Sequence, residues 1–357
     1  MILPILKGKI MEPIIELKNI SKEFKVPNRH EGIMGSIKDL FSREYNIVKA
    51  VNGISMNIMP GEIVGYLGPN GAGKSTTIKM MTGVLEPTSG EIICNGIIPY
   101  KKRSENAQNI GVVFGQRSQL WWALPAIESF KILKDIYQVP DNVYNDMMSL
   151  YGSMVDIDSL MHKPVRQMSL GQRTLCDILA AFLHNPGVVF LDEPTIGLDV
   201  AMKAKIRELV KTLNHEKNTT VILTTHDMGD VDALCRRIVI IDKGTMLFDN
   251  DIEHLTELFG AYRTLVLSLN KKEDKCDEES MKKLSSEVSA ILGDEFKDSS
   301  AFSVSFKDDK VEILIDESKA SVLNVLNTVQ KKYKIYDMHL QDISTESVIR
   351  KIYEGGI

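Results

Sequence analysis

The chain has 357 residues, of which 43% are hydrophobic and 25% charged, and a formal net charge of -5. This is ordinary globular composition with room for one large domain and a smaller one, and the acidic balance carries no basic signature of nucleic-acid binding, so no nucleic-acid partner is expected. No stretch approaches the roughly 20 consecutive apolar residues that a membrane-spanning helix requires, which leaves any membrane contact to a partner chain.

The opening MILPILKGKI has no basic flank and no small-residue cleavage site, so it is not a secretory signal. Met11 begins MEPIIELKNI, which already reads as a first strand, and the ten residues before it stand open between a peripheral strand and an upstream start. From Pro13 to about Phe259, apolar runs of strand length alternate with helix-like segments, the pattern of an α/β domain on a largely parallel sheet. The strand candidates are IIELKNI, EIVGYL, NIGVVF, VVFLDE, TVILTTH and RIVIIDKG. Asn28 to Asn46 separates two early strands, and HEGIMGSIKDLF within it reads as a short helix. Between Gln116 and Ser169 the alternation stops. AIESFKILKDIY and VYNDMMSLYGSMV space their apolar residues by three and four, predicting a helical subdomain over about 117–170.

Beyond Gly260 the character changes to YRTLVLSL, a mixed-charge run KKEDKCDEES read as a solvated loop, a helix, AFSVSF, VEILI, a second helix and KIYDMHL. The order predicts a compact α+β appendage of ferredoxin-like kind, dividing the chain into 1–259 and 260–357. Cys94, Cys176, Cys235 and Cys276 form no CxxC pair, so they make neither a zinc site nor a disulfide framework, which fits a reducing cytoplasm.

Two elements carry chemistry. The strand EIVGYL runs straight into Gly68-Pro69-Asn70-Gly71-Ala72-Gly73-Lys74-Ser75-Thr76, a GxxxxGK[ST] phosphate loop, and then into the helix-like TTIKMMTGVL. Glycines let backbone N–H groups turn toward phosphates, the helix N-terminus favours an anion, Lys74 neutralises phosphate oxygens and Ser75 can ligate Mg²⁺. The second element, NPGVVFLDEP, is an apolar strand ending in Asp192 and Glu193, at the carboxyl end of a sheet where ligands bind. Taken alone this acidic pair serves equally well as a helix cap. Beside a phosphate loop, Asp192 is the expected Mg²⁺ partner and Glu193 the general base that polarises the attacking water.

In order, these motifs resemble the ATP-binding cassette (ABC) family over residues from about 13 to 259. The resemblance implies a P-loop nucleotide-binding domain that binds and hydrolyses ATP with Mg²⁺. It makes Gly68, Asn70, Gly71, Ala72, Gly73, Lys74, Ser75 and Thr76 the phosphate cradle. Gln116 in VVFGQRSQ becomes the lid glutamine that senses Mg²⁺ and water, and His226 in TTHD the switch histidine at the γ-phosphate. Asp199 in IGLD lies in a loop that crosses a dimer interface. Ser169, Gly171 and Gln172 of MSLGQR form the signature that meets the ATP of the opposite subunit. Leu170 departs from the family pattern, standing where the first signature glycine is usual. Phe24 in ISKEFKV matches the aromatic platform for adenine, against the plainer reading of a Phe packed in the first sheet. Trp121 and Trp122 read either as core of the helical subdomain or as an exposed anchor for a partner's helix.

Composite sites imply a pair, a homodimer or a heterodimer with a paralogous ATPase. FGQRSQLWWALP, SLGQR and DEPTIGLDV, followed by an appendage, resemble ATPase subunits of ABC-2 type multidrug exporters, which drive separate transmembrane permease chains. That implies a place at the cytoplasmic face of the cell membrane. An importer subunit with a regulatory carboxy-terminal domain is the alternative, followed by a soluble ATPase acting on ribosomes or DNA. The appendage is read as a brace or as a regulatory element.

Overall fold

The computed structural model describes residues 5–6, 9–10, 12–27, 45–115, 118–258, 261–269, 278–296, 301–307 and 309–353. The chain divides into two compact units, Met1–Asp251 and Ile252–Ile357.

In the first unit, β1 (Ile5–Leu6) and β2 (Lys9–Ile10) form a small antiparallel hairpin. Strands β3 (Ile15–Pro27) and β4 (Tyr45–Ile58) form a long antiparallel ribbon with several register shifts. Next come β5 (Ile63–Leu67), helix α1 (Lys74–Met81) and β6 (Ser89–Cys94), the last pairing antiparallel with β3. The chain continues through α2 (Arg103–Asn109), β7 (Ile110–Phe114), α3 (Ala126–Ile136), α4 (Asp141–Met154), α5 (Ile157–Met161) and α6 (Leu170–Phe182). The last third holds β8 (Val188–Asp192), α7 (Val200–Lys217), β9 (Thr220–Thr224), α8 (Met228–Leu234), β10 (Arg237–Asp242) and β11 (Thr245–Asp251). The central sheet has the order β11-β10-β5-β9-β8-β7, parallel except for β11.

Parallel strands covered on both faces read as unbroken apolar runs rather than alternating ones. Accordingly Val188–Leu191 of β8 and all of β9 are buried. One core joins Leu17, Ile54 and Met56 of the antiparallel sheet, Tyr66, Phe190, Ile222 and Val239 of the parallel sheet, and Ile78 and Met81 of α1. That packing holds α1 against both sheets and fixes the loop that precedes it. In the helical subdomain, Phe130 and Tyr151 are fully buried, and the Tyr151 hydroxyl donates to the Leu179 carbonyl of α6 at 2.7 Å.

The second unit begins with α9 (Ile252–Leu258) and continues through β12 (Tyr262–Ser268), α10 (Glu278–Phe296), β13 (Phe302–Lys307), β14 (Lys310–Asp316), α11 (Val322–Gln330), β15 (Asp337–Asp342) and α12 (Thr345–Tyr353). The order β13-β14-β12-β15, antiparallel throughout, is the split βαβ, ferredoxin-like arrangement. Leu265, Leu267 and Ile313 pack with Val288 and Leu292 of α10 and with Val325 and Val329 of α11. The units part at Asp251/Ile252 rather than after residue 259, because α9 packs with α12 in the second unit. The charge run also ends earlier than expected, since Glu278–Ser280 already open α10. The helix predicted in HEGIMGSIKDLF lies outside the described residues.

Candidate functional site

Three chain reversals meet at the carboxyl ends of β5, β8 and β9. The first is the loop after β5. Gly73 has φ 107°, and a Cβ there would meet the Ala50 carbonyl at 2.4 Å, so only glycine fits. Gly68 is equally confined, since its Cβ would lie 2.6 Å from the Ile241 carbonyl. The Gly244 amide donates to the Ala72 carbonyl at 2.9 Å, and the Asn52 amide donates to the Gly244 carbonyl at 2.8 Å. The loop is therefore braced by the turn after β10 and by β4, while Asn70, Gly71 and Ser75 face solvent. Helix α1 has no side-chain cap, which leaves the N–H groups of its first turn available to an anion.

Lys74 is 7% exposed and donates to the carbonyls of Gly68 and, at 3.1 Å, of Pro69. Burial pushes its pKa below the usual lysine value, and the negative fields of Glu193 and Asp192 partly oppose that shift. Asp192, closing β8, accepts a hydrogen bond from the Thr224 hydroxyl of β9 at 2.5 Å. Glu193 adopts a left-handed backbone with φ 52°, and its amide donates to the Thr224 carbonyl at 2.9 Å. That turn aims its carboxylate at His226, with Oε1 2.7 Å from Nε2. Both side chains keep solvent access. Gly115 abuts the same corner, since a Cβ on it would lie 2.7 Å from the Asp192 carbonyl. Gln116, the next residue, lies outside the described residues.

Phe24 is 36% exposed, so it is not a core residue. It lies opposite Val48 on β4, the strand whose Ala50 carbonyl borders the loop at Gly73. The Lys22 amine stands 5.5 Å from its ring centroid.

Signature residues sit at the start of α6, where they also build the helix end. Ser169 Oγ accepts from the Gln172 amide at 3.2 Å, and Gln172 Oε1 accepts from the Ser169 amide at 3.1 Å, a reciprocal capping box. Gln172 Oε1 accepts also from Lys163 at 3.1 Å, so its side chain is engaged within the chain. Gly171 lies against Met202 of α7, with room for no Cβ unless that side chain moves. Leu170 is 44% exposed and borders Gly197. Asp199 caps α7, accepting from the Met202 amide at 2.9 Å. Trp121 and Trp122 are 39% and 56% exposed, which removes the reading of them as core. The Arg173 guanidinium stands 5.1 Å from the Trp122 ring, and both line a cavity of about 300 Å³ with Leu120, Leu170, Asp177 and Ile196.

The sequence reading passed over the polar frame behind this corner. Asp230 is fully buried and accepts from Arg207 Nε at 2.7 Å, from the Thr225 hydroxyl at 2.8 Å and from the Thr195 hydroxyl. Asp227 caps α8 and pairs with Lys203 and Arg207. The hydrogen bond from Lys203 is the main cause holding its carboxyl below the usual range. Thr195 follows Glu193 by two residues and Thr225 precedes His226, so one carboxylate ties both functional loops to α7. A faint signal existed: Lys203 and Arg207 are four apart on one helix face, and Asp227 and Asp230 follow His226 closely.

No helix among the described residues is long and apolar enough to cross a membrane. The family model described as ABC transporter matches residues 51–196, and one described as AAA domain, putative AbiEii toxin, Type IV TA system, matches 163–232. The chain is 32% identical over 217 residues to the ABC transporter ATP-binding protein NatA of Bacillus subtilis (strain 168), covering 61% of this chain and 88% of that one. It is 31% identical over 232 residues to the bacitracin transport ATP-binding protein BcrA of Bacillus licheniformis, covering 65% and 74%. Among solved structures, a dimeric ATP-binding cassette, MJ0796, in a post-hydrolysis state bound to ADP and Pi matches with a TM-score of 0.54 and 26% identity, covering 67% of this chain and 98% of that one.

Proposed function

Because the chain belongs to the ABC transporter ATP-binding proteins and is an ATP hydrolase of that family, we propose that it drives export through a separate membrane-spanning permease, closing as a dimer on ATP and reopening after hydrolysis. The observation that carries the catalytic part is the Glu193–His226 contact of 2.7 Å, set beside Lys74 and the uncapped start of α1. In this reading Glu193 Oε1 takes the proton of the attacking water, and His226 positions that carboxylate and meets the γ-phosphate. Lys74 leaves the carbonyls of Gly68 and Pro69 for phosphate oxygens, the first-turn amides of α1 supply further donors, and Phe24 stacks on adenine. Ser169 and Gly171 of one subunit complete the site of the other, Asp199 lies at the crossing between them, and Gln116 links the site to the helical subdomain.

The residues present fit Mg²⁺: a carboxylate at Asp192 and a solvent-facing hydroxyl at Ser75 are hard oxygen donors, few in number, as suits an ion that keeps waters and substrate phosphates as its other ligands. Bound there, the ion would neutralise charge on the phosphate oxygens. Transport is supported by BcrA, a relative named for bacitracin transport, while the export direction and the separate permease rest on the resemblance of FGQRSQLWWALP, SLGQR and DEPTIGLDV to subunits of ABC-2 type exporters.

The test is Glu193→Gln. ATP binding should persist while turnover falls by about 10² to 10⁴, the usual worth of a general base; parent-like turnover would remove Glu193 from that role. Affinity purification of the same variant with ATP from gently solubilised membranes should recover a multi-span protein in stoichiometric amount. Recovery with ribosomes or DNA instead would overturn the transport reading and leave the ATPase intact.

A further inference from the structure

In the second unit, the four-stranded sheet ends, among the described residues, at β15, which pairs with β12 along one side only. Edge strands offer unpaired backbone groups to other chains, and proteins usually blunt them with proline, bulges or inward charges. The segment from Tyr336 to Asp342 has neither proline nor a register shift against β12. Met338 and Leu340 lie opposite the buried Leu267 and Leu265, hence on the same face as the helix-packed core. Even so they are 54% and 56% exposed, with Tyr336 beside them at 44%. The core side chains continue past the helices that cover them onto an edge that nothing covers within the described residues.

We propose that this edge is a self-association surface, on which β15 of a second copy of this chain pairs antiparallel about a two-fold axis at Met338, joining two four-stranded sheets into one. The sequence of the strand selects both the occupant and the register. In antiparallel pairing, directly opposed residues share a face, and a two-fold contact must be self-complementary. With the axis at Met338, Met338 meets the partner's Met338, Leu340 meets the partner's Tyr336, His339 meets the partner's Asp337 and Asp342 meets the partner's Lys334. The exposed apolar residues face one another, and each acid faces a base or an imidazole. His339 Nε2 already lies 3.2 Å from Asp337 of its own strand, so the partner's carboxylate offers it an equivalent contact. An axis at His339 sets His339 against itself and Asp342 against the partner's Tyr336. An axis at Leu340 sets Met338 against the partner's Asp342. A one-residue slip puts Met338 opposite a polar residue. The first register leaves one mixed pair, Gln341 with the partner's Ile335, and is the only one of these that sets every charged residue from Lys334 to Asp342 against an opposite charge or an imidazole. The cassette solved as a dimer gives an independent reason to expect a second copy nearby.

The experiment uses the full chain without nucleotide, so that its outcome is separate from ATP turnover and from transport. Sedimentation should show a dimer whose dissociation constant rises at least tenfold in Met338→Lys, which places like charges at the axis. Because Met338 is exposed, the variant should melt as the parent does. For register, Met338→Cys in a Cys276→Ser background should oxidise to a covalent dimer. Opposed Cα atoms in an antiparallel pair lie about 4.5–5.5 Å apart, within disulfide reach. Gln341→Cys should not, since its two copies would stand roughly 20 Å apart at ~3.4 Å per residue. Parent-like dimerisation of Met338→Lys, equal cross-linking at 338 and 341, or cross-linking of position 338 to a different polypeptide would each overturn the proposal.

Discussion

Removing the Asp230 carboxylate tests the frame behind the Glu193–His226 corner. Its side chain is wholly buried and accepts from Arg207 at 2.7 Å, from Thr225 at 2.8 Å and from Thr195. In Asp230→Ala, Arg207 keeps only its 3.3 Å contact to Asp227, and the hydroxyls of Thr195 and Thr225, 2% and 3% exposed, lose their acceptor. Breaking a buried ion pair from one side costs about 3–5 kcal/mol, and a neutral hydrogen bond about 1 kcal/mol. The losses share one network and do not add, so the total stays near about 3–5 kcal/mol. For a unit of this size that lowers the melting temperature by about 6–20 °C. The assay is thermal melting of the full chain, following the transition of the first unit, with a double-mutant cycle against Arg207→Met. With the charge gone from both sides, Asp230→Ala with Arg207→Met should be no less stable than Asp230→Ala alone. Turnover should fall with little change in nucleotide affinity, because Thr195 and Thr225 anchor the loops of Glu193 and His226 rather than touching nucleotide. A melting loss under about 2 °C, or additive single-mutant effects, would refute the reasoning.

Asp177 is held by burial at a pKa of about 6 against an ordinary 3.8, despite hydrogen bonds from Ser118 and the Gln119 amide. A carboxyl raised in the folded state costs stability when ionised, so the cost is fully present above pH 6 and is relieved as pH falls toward 4. At ~1.4 kcal/mol per unit that is about 3 kcal/mol. Asp177→Asn should unfold at higher urea than the parent at pH 8, with the advantage gone near pH 4. His184 runs the other way: burial lowers it from 6.5 to about 4, its ring stacked 3.9 Å from Tyr137. The unfolded chain takes a proton first, so the parent loses up to about 3 kcal/mol as pH falls from 6.5 to 4. His184→Gln should show a flatter stability–pH curve over that range whatever its absolute stability. Gly111→Ala should cost several times the usual point-mutant loss of about 1 kcal/mol, read as a fall in urea midpoint, because the new Cβ would lie 2.2 Å from the Ala181 carbonyl.

The parallel strands, the phosphate loop and the acidic pair were legible because each is a local pattern. EIVGYL followed by GPNGAGKST needs only neighbouring residues to be read, and buried parallel strands announce themselves as apolar runs. The polar frame was not legible. Nothing local to Thr195 or Asp230 says that 35 residues of chain fold back to put their side chains in contact. Exposure was equally hidden: Trp121, Trp122 and Phe24 have compositions suited to a core, and only the packing around them leaves them at the surface. The break between units fell earlier than the pattern suggested, because an amphipathic stretch such as α9 does not reveal which unit supplies its partner.

By itself, then, the sequence determined the family, the order of the motifs and the chemistry available at Lys74, Asp192, Glu193 and His226, since these rest on residue types at fixed short spacings. Tertiary structure alone decided which of them touch. The Glu193–His226 contact depends on a left-handed turn held by Thr224 on another strand, and the capping roles of Ser169, Gln172 and Asp199 on where helices begin. The edge that β15 leaves open among the described residues depends on the sheet order β13-β14-β12-β15. Long-range pairing is fixed by the burial of the whole core at once, which no short window of sequence contains.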